Sequence, residues 1–173
     1  MATCYLNVTA PLLADFLRYL FPPKEGTGEL CISTTTPTGA LMVALAGHYE
    51  SPVPHSEDAI ACYLPLTRYI IQPTDKWYAG YDAAATARIN LALKAEFELD
   101  FFLYMQKGLS MGILKKDIID AYIISRGLVP ESYDALHKRV YRDQVRAQNM
   151  IAGRLLRKAY YINESINYKG LDQ

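Results

Sequence analysis

Three carboxylates, Glu96, Glu98 and Asp100, alternate inside a strongly apolar stretch, where acidic side chains could hold a metal ion or exchange protons. Residues two apart on a helix point to different faces, so the expectation is a solvated face with one buried pair. The three histidines, His48, His55 and His137, lie far apart and make no HExxH or similar ligand pair. No GxSxG is present, and Glu25-Gly26-Thr27-Gly28 offers only GxG without the further glycine of a dinucleotide loop. No catalytic residue, metal or cofactor is therefore expected. What remains is charge. Lys115, Lys116, Ser132, Tyr133, Lys138, Arg139, Arg142 and Arg146 fall in one stretch of 32 residues, 115–146. Arginine can fork onto guanine or clamp a phosphate, while serine and tyrosine can reach phosphate or sugar.

Net charge is zero, from 18 Lys/Arg against 18 Asp/Glu, so the whole molecule is not an obvious polyanion binder. The distribution is uneven. Residues 1–114 carry 7 basic and 11 acidic side chains, whereas residues 115–158 carry 10 and 5. The basic half is the candidate for an anionic partner, by phosphate contact in the case of DNA, and an exposed basic face offset by acids elsewhere is the competing account. The hydrophobic fraction of 51% is that of a globular chain. Cys4, Cys31 and Cys62 lack metal spacing and sit in apolar runs, which suits buried thiols in a reducing compartment. Asp15 and Arg18 interrupt the first apolar stretch, and no uncharged run reaches the roughly 20 residues of a membrane span. A cytoplasmic protein without a leader or a membrane partner is expected.

The elements that would position the basic set can be read in order. Residues 3–8 suit a strand; Pro11 opens a helix whose apolar line is Leu12, Leu13, Phe16, Leu17 and Leu20. Strands are expected at 29–35, 59–65 and 69–72, with a second helix from about Thr38 through His48 and a loop at 51–55. From Asp82 the character turns helical. Residues 83–103 form a central helix, Gly108 and Gly112 bracket a turn, and 115–125 form an amphipathic helix capped by Gly127. Ser132 can cap a further helix, with Leu136, Val140, Ala147, Ile151 and Leu155 as its apolar line. The expected architecture is α+β: a small N-terminal sheet with two helices, residues 1–81, packed on a C-terminal helical bundle, residues 82–173.

Lys115–Arg146 resembles the helix-turn-helix of small DNA-binding proteins of bacteria and their mobile elements. Ala121 takes the small position of the first helix and Gly127 the glycine of the turn, while Val129-Pro130-Glu131 lengthens that turn. The layout is also similar to uncharacterised Bacteroidetes proteins with a short α/β N-terminal part and a helical C-terminal part. The basic stretch, with no catalytic signature elsewhere, leads to the expectation of a non-enzymatic DNA-binding or regulatory protein, and the resemblance is in keeping with DNA binding. A homodimer would set two basic helices at fixed spacing. The alternative is an interaction or scaffold protein whose basic helix meets an acidic protein surface.

Overall fold

A computed structural model describes residues 2–65 and 78–142. The architecture is α+β. Strand β1 (Ala2–Leu6) leads into helix α1 (Pro11–Leu20), then β2 (Leu30–Cys31), α2 (Pro37–Leu45), β3 (Gly47–Tyr49), β4 (Ile60–Leu64), β5 (Tyr78–Gly80), α3 (Ala83–Ser110) and α4 (Lys115–Arg126). Residues 132–142 are helical again. Two compact units divide after Ser132, and α3 and α4 fall in the same unit as the sheet.

The main sheet has the order β1-β4-β2 and is mixed: β1 runs antiparallel to β4 and β2 parallel to it. Alternation along β4 buries Ile60, Cys62 and Leu64, and the register sets Leu6 opposite Ile60 and Cys4 opposite Cys62. A second, two-stranded sheet pairs β3 with β5. Both of those strands escaped the sequence reading. Three residues are too few to show an alternation, and Gly47–Tyr49 continued the apolar run of the preceding helix, so His48 belongs to β3 rather than to α2. The strand expected over 29–35 shrinks to Leu30–Cys31, because Ser33 and Thr35 hydrogen-bond each other in a turn that leads into α2. The strand expected at 69–72 lies outside the described residues.

Helix α2 starts with Pro37 at its first position and Thr36 as cap, whose Oγ1 accepts from the Gly39 amide at 3.0 Å. Gly39 is required there by space, since a Cβ would collide with the Ser33 carbonyl oxygen. Helix α3 runs 28 residues, past the Gly108 at which a turn was expected. Gly108 is buried instead, and a Cβ there would come within 2.6 Å of Ile118 Cδ1, so the glycine is what lets α4 approach α3 closely. The reversal sits at Gly112, whose φ of +74° favours glycine.

One core joins these layers. Phe16 of α1 meets Phe97 of α3 edge-on at 5.2 Å, and Tyr122 of α4 packs against Phe101 at 5.0 Å and Tyr104 at 5.2 Å. Asn90, 7% exposed, ties the β1–α1 connection to α3: its Oδ1 accepts from the Thr9 amide, and its Nδ2 donates to the Asn7 and Thr86 carbonyls. Among the described residues no helix is long and apolar enough to cross a membrane.

Candidate nucleic-acid interface

Two helical segments carry the basic residues. Helix α4 buries Ile118, Ile119, Tyr122 and Ile123 on one face, the stripe its sequence shows, and this turns its first-turn lysines outward. Lys116 is exposed and Lys115 half-exposed, with Asp117 exposed beside them. The helix ends as Gly127 suggests: Gly127 has φ +61°, the Leu128 amide donates to the Ile123 carbonyl at 3.0 Å, and Leu128 is buried. That is a Schellman arrangement.

In the segment 133–142, Lys138 and Arg142 are exposed at i and i+4, so they share one helical face. The Arg142 Nε donates to the Lys138 carbonyl at 3.3 Å, drawing its guanidinium along that face. Tyr133 is half-exposed and stacks on His137 with ring centres 6.0 Å apart. Arg139 and Val140 are half-exposed, and Leu136 is fully buried, as its place on the apolar line requires. Glu131 and Asp134 are exposed among these cations. Ser132 is corrected by the structure: it is 5% exposed, so the expected contact set loses it as a surface group. Arg146 lies outside the described residues.

The carboxylates of α3 turn out to be spoken for. Glu96 Oε2 accepts from the Thr38 amide at 2.9 Å, placing a negative charge at the N-terminus of α2. Asp100 accepts from Arg126 at two points and from the Tyr122 hydroxyl at 2.9 Å. Burial first, and then the Asp100 charge, push the Tyr122 phenol well above its ordinary range, so it stays a donor. The Arg126 guanidinium also lies over the Tyr19 ring, 4.5 Å from its centre. Sequence reasoning missed Arg126 as a structural group because its partner is 26 residues away. The tyrosines around it were the available signal.

Among the described residues no group of three or more His, Cys, Asp or Glu side chains could hold a metal ion. A cleft of about 410 Å³ between the end of α1 and the loop before β4 is lined by Arg18, Glu57 and Asp58, with Arg18 already paired to Asp15 at 3.0 Å. Its mixed charge presents no concentrated anion or cation site.

No protein-family model matches the chain, and neither the curated proteins nor the solved structures yield a match.

Proposed function

We propose that the chain is a non-enzymatic DNA-binding or regulatory protein of the cytoplasm. Its proposed contacts are Lys138, Arg139, Arg142 and Arg146, with Lys115, Lys116 and Tyr133 supporting. The observation that carries this reading is the pair Lys138 and Arg142, both exposed and one helical turn apart. Cations at that spacing can reach successive phosphates from one helix face. The three free cysteines favour a reducing compartment. A second copy of the chain would present two such faces to a duplex, as paired half-sites require.

Fluorescence anisotropy with a random-sequence duplex, at low and moderate salt, tests the proposal. Binding should weaken steeply with salt, with a log–log slope of about −0.9 for each phosphate neutralised. Lys138→Ala with Arg142→Ala should flatten that slope by about two such contacts. Unchanged affinity and slope in the double variant would remove this helix as the contact surface. The exposed Glu131 and Asp134 favour one second reading, a protein partner of mixed charge, for which duplex binding would be absent even at low salt.

A further inference from the structure

Helix α3 has two apolar faces, and the fold uses one. Ala85, Ile89, Leu93, Phe97, Phe101 and Met105 recur every fourth residue and are buried. On the remaining surface Ala95, Leu99, Phe102, Gln106 and Leu109 recur at spacings of 4, 3, 4 and 3, and all five are exposed. Leu99 is 58% exposed, Phe102 53% and Leu109 39%, while Leu91 at 70% and Leu103 at 56% border the line. A helix that meets water on its outer side carries charged or polar residues there. This one carries a two-heptad seam with a single polar member, Gln106, and one polar residue within an apolar seam is a device that sets register and oligomer state.

We propose that this seam is the contact between two copies of the chain, α3 against α3 about a twofold axis. The second copy is part of the function proposed above; the surface it uses is the new element, and it does not depend on DNA. Three observations select this occupant. The 3-4 spacing matches the ridges of another helix rather than a flat or fluid partner. The five large apolar side chains, Leu91, Leu99, Phe102, Leu103 and Leu109, present on the order of 100 Å² each, about 500 Å² together. That is most of the roughly 800 Å² a standard interface takes from each partner, and it lies at the upper end of the patch a monomer leaves open. Net charge is zero, and the seam itself holds no charged residue, with Arg88, Lys94, Lys107 and Glu98 at its border, so two copies can meet along it without burying a charge. A twofold contact is isologous, and each copy offers the same stripe to the other.

Analytical ultracentrifugation of the full chain at rising concentration, without DNA, is the test. The wild-type chain is expected at twice the chain mass. Leu99→Glu with Phe102→Glu should weaken self-association by about 100-fold or more, the scale of losing two central apolar anchors. Its far-UV circular dichroism should be unchanged, because both side chains are exposed, and its unfolding midpoint should be independent of concentration and equal to that of the wild-type chain diluted to monomer. Should the glutamates unfold the chain, Leu99→Gln with Phe102→Gln reads the same surface without adding charge. A wild-type monomer at every concentration overturns the proposal, and so does a variant that stays dimeric. A monomeric wild type whose variant also loses stability assigns the seam to an occupant within the same chain, which overturns it as well. Duplex binding by the wild-type chain, or its absence, reads the nucleic-acid proposal separately.

Discussion

Asp100 on α3 grips Arg126 on α4 at two points, Nε to Oδ2 at 2.9 Å and Nη2 to Oδ1 at 3.0 Å. The same carboxylate takes the hydroxyl of the fully buried Tyr122. The arginine and aspartate side chains are 17% and 30% exposed, so the pair is partly shielded from water and fixed by a planar fork rather than by a mobile contact. One carboxylate therefore holds the α3–α4 hairpin, and through Arg126 over Tyr19 it reaches α1.

Asp100→Ala should lower stability by about 1–3 kcal/mol, because it strands a buried hydroxyl and a half-buried guanidinium at once. Tyr122→Phe removes one hydrogen bond with little change of shape and should cost about 0.5–1.5 kcal/mol. Urea unfolding of the two variants gives the comparison. Equal losses would mean that the arginine fork contributes nothing beyond the tyrosine bond.

Two buried hydroxyls, Thr38 Oγ1 and Tyr81 Oη, have no hydrogen-bond partner among the described residues. Thr38→Val and Tyr81→Phe remove a desolvated polar atom at nearly constant volume. Each should be neutral or stabilising by up to about 1 kcal/mol, against the destabilisation usual for core substitutions. Thermal unfolding would read this directly. A clear loss of stability in either variant would show that its hydroxyl is satisfied.

Cys4 and Cys62 face each other across β1 and β4, and burial pushes both thiols up to about 12 from an ordinary 9.0. Cys31, on β2, is half-exposed. Native protein treated with an alkylating reagent near neutral pH should take its label at Cys31 first, and all three cysteines should react after denaturation. Intact-mass spectrometry counts the labels. The linkage follows from the raised values: the native thiols keep their protons where unfolded ones lose them. Their contribution to stability is present in full below about pH 9 and is lost as pH rises toward 12. The slope is about 1.4 kcal/mol per pH unit for each thiol.

Gly39→Ala places a methyl group against the Ser33 carbonyl in the first turn of α2. The gain in helix propensity is under about 1 kcal/mol, and a collision with backbone cannot be relieved by a rotamer change. A net loss of about 1–3 kcal/mol is expected by chemical denaturation. Wild-type stability in this variant would mean that the Ser33 turn yields without cost.

Local pattern carried much of this fold. Pro11 with Leu13, Phe16 and Leu17 marked α1, the short apolar run around Cys62 marked β4, and the isoleucines with Gly127 marked α4 and its end, because each signal is complete within a few residues. The basic character of 115–146 was equally legible, since charge needs no partner to be counted. Tertiary structure decided the rest. Whether Gly108 ends a helix or admits a neighbour depends on Ile118, and whether Ser132 faces water depends on what covers it. The fate of Glu96 and Asp100 depends on Thr38 and Arg126, 58 and 26 residues away. Sequence spacing states which side chains share a face; only the packed chain states what that face meets.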